Sequence, residues 1–391
     1  MPHPPASGNS LPPARTEQPV RVAIFTGAYD HIRDGVSLTL NRLVAFLERN
    51  SVKVKVFAPT VRQPALRHAG TRIAVPSIPA PGRGEYRVSL GLPHGARREL
   101  AEFNPNIVHI ATPDILGHSA LRWAKRREIP VVASYHTHFA SYLDYYGLQR
   151  IEGSVWGYLR RFYKQCAHLY VPSSSMEDVL RKHGISDNLR PWPRGVDTGL
   201  FSPKLRSVAW REAVGAGDRD VIVTFISRIV AEKGVEVFAQ LVEQLESRGV
   251  PHRSLVVGDG PLRAPLQERL RNTHFTGTLR DEELARAYAS SDVFVFPSET
   301  ETFGNVTLEA MSSGVPAVCA NATGSASLVR AGETGFLAPP RDVQAFVENV
   351  ERLCTDHALR ARMSAASREA ALAYDWNVVL ARMLGYYREL V

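Results

Sequence analysis

One pattern limits the fold of this chain more than any other. Short apolar runs alternate with amphipathic stretches, the alternation breaks once into proline, glycine and arginine, and then it begins again. Val20–Phe25 (VRVAIF) is an apolar run of strand length; a loop Thr26–Asp34 follows, and then an amphipathic stretch in which Leu38, Val44, Phe46 and Leu47 can cover a sheet. The same unit recurs through runs at Val52–Phe57, Ile107–Ile110, Val131–Tyr135 and Leu169–Val171, with a helix predicted at Ala120–Arg127. Strands separated by helices pair in parallel, because a crossover helix returns the chain to the same end of the sheet. At Pro191–Ser207 (PWPRGVDTGLFSPKLRS) the pattern stops. It resumes with predicted strands at Val221–Ile226, Ser254–Val257, Val293–Phe296 and Val315–Cys319, and helices at Val235–Ser247, Glu282–Ala289, Val306–Ser312 and Val343–Leu353.

The reading is therefore α/β: two tandem Rossmann-like, doubly wound domains. A length of 391 residues suits this, since one core rarely organises so long a chain. The expected boundaries are a disordered tail at 1–19, an N-terminal domain at 20–195, a linker at 196–218 and a C-terminal domain at 219–373. A helical segment at 374–391 is expected to pack back on the N-terminal domain.

Charge is unequally divided between the halves. Through residue 196 there are 26 Lys+Arg against 14 Asp+Glu, and beyond it 21 against 25, so the first half carries +12 and the second −4. A basic half attracts phosphate-rich surfaces such as anionic headgroups or a lipid-diphosphate, although solvated arginine-rich helices produce the same count. The three cysteines, Cys166, Cys319 and Cys354, have neither pairing nor metal-type spacing, which points to a reducing cytosol. The first nineteen residues lack an apolar core of the signal-peptide kind, and no run approaches the length of a membrane span, so the expected location is cytoplasmic, with peripheral contact at the membrane face as an option.

The most informative stretch is Phe294–Pro316 (FVFPSETETFGNVTLEAMSSGVP). A buried strand ends, a polar loop follows, and a helix begins near Asn305 or Val306, the place in an open α/β sheet where ligands bind. Backbone N–H groups of Phe303, Gly304, Asn305 and Val306 would leave that helix start ready for hydroxyls or a diphosphate, and Gly304 allows close approach. Glu301 and Glu309 stand eight residues apart. On one helix that is roughly 12 Å, beyond the roughly 5–9.5 Å of a glycosidase pair, so they read as separate grips on hydroxyls, a ribose diol for Glu309 and a sugar for Glu301. In Ser227–Gly234 (SRIVAEKG), Arg228 and Lys233 can meet a diphosphate, as a fork and as a point charge, or simply be solvated. Val256–Pro261 (VVGDGP) offers Gly258 in a turn shorter than a full dinucleotide fingerprint, and Phe275–Leu279 (FTGTL) offers a strand exit at Leu279. In the first half, Tyr135–Phe139 (YHTHF) sets His136 at a sheet edge, with His138 facing the other way if the run is extended. The sole D-x-D, Asp218–Asp220, precedes a strand and reads as a solvated loop; no metal is expected. No G-x-S-x-G, H-E-x-x-H or P-loop occurs.

Taken together, SRIVAEKG, VVGDGP, FTGTL, AYASSDVFVFPSETETFGNVTLEAMSSGVPAV and GETGFLAPP resemble the retaining glycosyltransferases of family 4, which have the GT-B fold. The segments SYHTHFASYLDYYGL and SETETFGNVTLEAM look most like the GDP-mannose-dependent α-mannosyltransferases that act on glycolipids. The resemblance implies a nucleotide-sugar donor, a glycan or lipid-linked acceptor, no metal, and retention of configuration. It implies that Arg228 and Lys233 neutralise the donor diphosphate, that Glu309 holds the ribose, and that Glu301 holds the sugar with the backbone of Phe303, Gly304 and Asn305. His136 would reach in from the first domain, and Gly35 would lie beside the acceptor or phosphate. Here Asp34 stands where many members have a second glycine.

The alternatives are a UDP-hexose donor, a nucleotide-sugar 2-epimerase on the same architecture, and a scaffold that binds nucleotide sugar without turnover. Nucleic-acid binding is disfavoured because no interleaved aromatic and basic ladder is present.

Overall fold

The computed structural model describes residues 19–80, 83–135, 152–301 and 303–391. The first domain contains β1 (Arg21–Phe25), β2 (Lys53–Pro59), β3 (Thr71–Val75), a hairpin of β4 (Ser77–Ala80) and β5 (Arg83–Ser89), then β6 (Ile107–Ile110), β7 (Val131–Ser134), β8 (His168–Val171) and β9 (Leu189–Pro191). Seven of these form one sheet in the order β3-β2-β1-β6-β7-β8-β9, with every recorded pairing parallel. The second domain contains β10 (Ile222–Ile226), β11 (Arg253–Val257), β12 (Thr273–Gly277), β13 (Val293–Phe296), β14 (Ala317–Ala320) and β15 (Gly335–Ala338), ordered β12-β11-β10-β13-β14-β15 and again parallel. Both sheets reverse direction of growth beside their first strand. Their ligand crevices therefore lie beyond the carboxyl ends of β1 and β6 in one domain and of β10 and β13 in the other.

The central strands are buried along their whole length, as parallel strands covered on both faces must be; β6, β7, β10 and β13 expose no residue. Phe25 and Phe57 pair across β1 and β2 with rings stacked 4.7 Å apart. The two-domain α/β architecture read from the alternation is the one observed.

Several details differ from the sequence reading. The helix predicted at Ala120–Arg127 spans Ile115–Lys125, because the Asp114 carboxylate accepts the Gly117 N–H at 2.8 Å and starts the helix earlier. The β4–β5 hairpin, β3, β9 and β15 are additional elements. Residues 196–218 do not act as a loose linker: Val196, Phe201 and Ala216 belong to the second core, and Arg211, fully buried on the short helix Val208–Ala213, donates to Asp292 at 2.9 Å.

The chain returns to the first domain through its last helix, Trp376–Arg388. Val379, Leu380, Met383, Leu384 and Tyr387 are buried in the first-domain core, and the Tyr387 hydroxyl lies 2.6 Å from His109 Nδ1. Where the chain crosses, the Val196 N–H donates to Tyr374 O and the Trp376 N–H donates to Val196 O. The Trp376 ring leaves no room for a Cβ at Gly195, which would lie 2.5 Å from it.

Candidate functional site

The second-domain crevice is assembled from backbone locked against backbone. The loop after β10 carries Ser227 to Gly234, and the loop after β11 passes directly across it. The Ser227 N–H donates to Val257 O at 3.1 Å, and the Ile229 N–H donates to Asp259 O at 2.9 Å. Gly258 makes this crossing feasible. It has φ +138°, and a Cβ there would sit 1.9 Å from Ser227 O. Its N–H donates to Gly277 O at 2.8 Å, which ties in the β12 exit and brings half-buried Leu279 against the same core.

Lys233 ends a short 3₁₀ turn, Ala231–Lys233, which Gly234 closes in the left-handed region against Pro297. The Ser298 hydroxyl donates to Glu232 O at 3.1 Å, so the loops after β10 and β13 are fastened together. The result is a direct ion pair between Lys233 Nζ and Glu301 Oε1, both largely buried. The two side chains that the resemblance assigns to diphosphate and sugar thus neutralise each other. A ligand that presents an anion to the lysine and hydroxyls to the carboxylate can part the pair without leaving either charge bare. Arg228 is exposed, with Glu232 at 3.4 Å, and is available to an approaching phosphate.

Helix Asn305–Ser312 starts at Gly304, in the left-handed region with φ +94°, and no side chain caps it. Its first N–H groups, including those of Asn305 and Val306, have no partner within the helix and face the crevice mouth. Phe303 turns its ring inward, 6.0 Å from Tyr374, so only its backbone remains for recognition. Gly324 packs on that backbone at a distance that excludes a Cβ, and its N–H holds Glu301 O at 2.7 Å. Glu309 lies one turn further along the helix. Burial pushes its carboxyl up to about 7, opposed by the Tyr288 hydroxyl and by the Arg42 guanidinium of the first domain. Glu309 and Glu301 therefore occupy separate positions, one on the helix and one on the loop before it.

The first domain faces this crevice with helix Gly35–Arg49. Asp34 begins it in a reciprocal capping box: Asp34 Oδ1 accepts the Ser37 N–H at 2.8 Å, and Ser37 Oγ accepts the Asp34 N–H at 3.0 Å. The aspartate that replaces a family glycine is thus a helix cap. Gly35, Thr39 and Arg42 share one face of this helix, turned toward the second domain. Arg42 lies over the Trp376 ring at 4.6 Å, and Arg194 donates to Gly35 O at 2.6 Å and to Thr39 Oγ1. Neither arginine was singled out from sequence. Arg42 was legible as the i+7 partner of Gly35, whereas Arg194 was hidden in a segment that reads as a domain break.

Beneath the same loop, the fully buried Asp30 pairs with Arg72 and, at 3.2 Å, with His68, while its Oδ1 and both nitrogens of buried His31 lack a partner among the described residues. His136 falls outside the described residues. Asp218 and Asp220 lie at the opposite, amino edge of the second sheet, where Asp220 Oδ2 accepts the Gly217 N–H at 2.8 Å. Among the described residues, no group of three or more His, Cys, Asp and Glu is placed to hold a metal ion.

Comparison with known proteins shows the family and the fold. Residues 33–200 match the model for Glycosyltransferase Family 4 and residues 208–370 the model for Glycosyl transferases group 1. A GDP-mannose-dependent alpha-mannosyltransferase of Corynebacterium glutamicum is 33% identical over 96% of this chain and 90% of its own length. The sulfoquinovosyl transferase SQD2 of Arabidopsis thaliana is 32% identical over 95% of this chain and 74% of its own. Among solved structures, sucrose-phosphate synthase from Thermosynechococcus elongatus superposes with a TM-score of 0.73 at 21% identity, covering 95% of this chain and 99% of that one.

Proposed function

The chain belongs to the group 1 glycosyl transferases, with a family 4 first domain, and on that premise we propose that it moves mannose from GDP-mannose to a hydroxyl of a lipid-linked or glycan acceptor. It is a nucleotide-sugar-dependent glycosyltransferase of GT-B fold. The mannosyl donor is the finer reading. The relatives named for mannose and for sulfoquinovose are nearly equal in identity, so overall likeness does not by itself select the sugar. A UDP-hexose is the second reading.

The observation that carries the proposal is the Lys233–Glu301 pair set beside the uncapped helix start at Gly304, with Glu309 one turn beyond. Together these supply a cation and backbone donors for a diphosphate and separate carboxylates for the hydroxyls of the sugar and of the ribose at its two ends. In the proposed reaction the acceptor hydroxyl attacks the anomeric carbon from the face the diphosphate leaves, and the departing phosphate oxygen takes the hydroxyl proton. Configuration is retained and no protein nucleophile is needed. Lys233, Arg228 and the helix N-terminus stabilise the charge that develops on the leaving group. Because fixed cations occupy that position, the reaction is proposed to need no metal, and turnover unchanged by EDTA is the expected result.

The acceptor side is read from the first domain. Ile78 (50% exposed), Leu90 (56%), Ile115 (55%) and Tyr158 (41%) stand on its carboxyl-edge rim. Several of them are neighbours: a Cβ at Gly91 would lie 3.7 Å from Ile115, and the Tyr158 hydroxyl donates to Pro113 O at 2.7 Å. An apolar rim on a half bearing +12 suits an anionic bilayer that presents a lipid-linked acceptor. None of the described helices is long and apolar enough to cross a membrane.

The deciding experiment is a thermal-shift panel of GDP, UDP, ADP and dTDP with their sugars on the wild type and Glu309→Ala. The expected result is stabilisation of the wild type by GDP-mannose and loss of that shift in the variant. A shift of equal size in both proteins would remove Glu309 from the donor site.

A further inference from the structure

Arg194 is a charge at the cleft that this donor-site reading leaves without a task. It lies just before the crossing at Val196, yet its side chain turns back onto the first-domain helix. Nη1 is committed to Gly35 O and Thr39 Oγ1, which leaves Nε and Nη2 with no recorded partner among the described residues. Nη2 occupies the space beside Gly35, where a Cβ would come within 3.5 Å of it. No carboxylate among the described residues forms an ion pair with Arg194. Asp34 attracts it from a distance while its carboxylate caps Ser37, and Arg42 repels it. Burial pushes the guanidinium down to about 10. The residue is half-buried, so a guanidinium without a counter-ion keeps part of its charge uncompensated, and an incoming anion compensates it.

We propose that Arg194 is a third cation of the donor site, gripping the terminal phosphate of the nucleoside diphosphate from the first-domain side of the cleft. The inference rests on the donor-site reading above and adds the residue that completes it. Glu309 fixes the ribose, so the first phosphate lies near the second-domain helix start, and the second phosphate, which carries the sugar, extends toward Gly35. Lys233 and Arg228 meet that phosphate from the second domain. Arg194 meets it from the opposite side, with the unused edge of its guanidinium fork turned toward the cleft. Its bonds to Gly35 and Thr39 keep it with the first domain when the cleft closes. Closure then brings the charges together around the leaving group.

Calorimetric titration of GDP, UDP and ADP, each beside its monophosphate, into the wild type, Arg194→Gln and Arg194→Lys tests this. The expected result is that Arg194→Gln weakens the preferred diphosphate about tenfold or more while the matching monophosphate changes less than about twofold, with Arg194→Lys recovering part of the loss. A structural residue would weaken both ligands alike, so equal losses overturn the proposal, as does an unchanged diphosphate affinity. If Arg194→Gln fails to fold, the lysine variant decides by the same ratio. A wild type that binds none of the six nucleotides overturns the donor-site reading itself, whereas normal wild-type binding with an unchanged ratio overturns only the role of Arg194.

Discussion

The two domains share the strand order around their first strand and build their crevices by different means. In the second, the loops beyond β10, β11 and β13 are interlocked backbone to backbone, with glycines at the contacts: Gly258 on Ser227, Gly260 on Ile229, Gly234 on Pro297 and Gly324 on Phe303. In the first, the corresponding edge has one such contact, Gly117 on Thr112, and is otherwise held by side chains, through Asp30 with Arg72 and His68, Asp34 with Ser37, and Arg194 with Gly35. A backbone frame defines a site that is the same for every ligand bearing a ribose and diphosphate. A side-chain frame can be altered one residue at a time, which suits the half proposed to meet the acceptor.

The strongest way to break this comparison is to remove charge where it is expected to matter most. Lys233→Ala is expected to lower kcat by roughly 10²–10³-fold with the fold intact, since it deletes the cation proposed to meet the leaving group. Steady-state kinetics against GDP-mannose decides this, and near-normal turnover would detach catalysis from the second-domain frame.

Next is the glycine asymmetry. Gly258→Ala places a Cβ into Ser227 O at a backbone angle that L-residues rarely adopt, and is expected to cost on the order of 2–4 kcal/mol in urea unfolding. Gly95→Ala, in a first-domain helix with nothing within 4 Å, is expected to change stability by less than about 1 kcal/mol, in the stabilising direction. Equal costs at the two positions would erase the distinction between the frames.

A further expected effect concerns pH, and its sign differs between the domains. Glu309 holds its proton up to about 7 when folded, against an ordinary value of 4.5, so the folded state binds more protons in that window and stability falls as pH rises through it. His109, buried against Tyr387 and Ser134, is pushed down to about 3 from 6.5, so its contribution is complete above 6.5 and is lost as pH falls below that value. Hydrogen exchange resolved by domain, between pH 5 and 8, is expected to show opposite slopes. Glu309→Gln should flatten the second-domain slope alone, by about 1–3 kcal/mol across the window. Under the proposed ribose contact, ionised Glu309 is the form that accepts two hydroxyls, so nucleotide affinity should strengthen as pH rises toward 8.

The repeated alternation of apolar and amphipathic runs was enough to specify two parallel α/β units, because a strand buried on both faces has little other sequence it can use. Glu301, Gly304 and Glu309 were legible for the same reason: they lie within one continuous stretch, so their spacing is local. What the sequence could not convey was contact between distant segments. The Lys233–Glu301 pair spans 68 residues, Arg194 meets Thr39 across 155, and Tyr387 meets His109 across 278. Periodicity reports which face of an element is apolar, but which charge faces which depends on how two completed sheets and a returning helix pack. The composition of the stretch around Pro191–Ser207 correctly signalled a break in the alternation. Only the tertiary structure shows that Arg194 in this break turns back to the first domain, while Val196 onward joins the second.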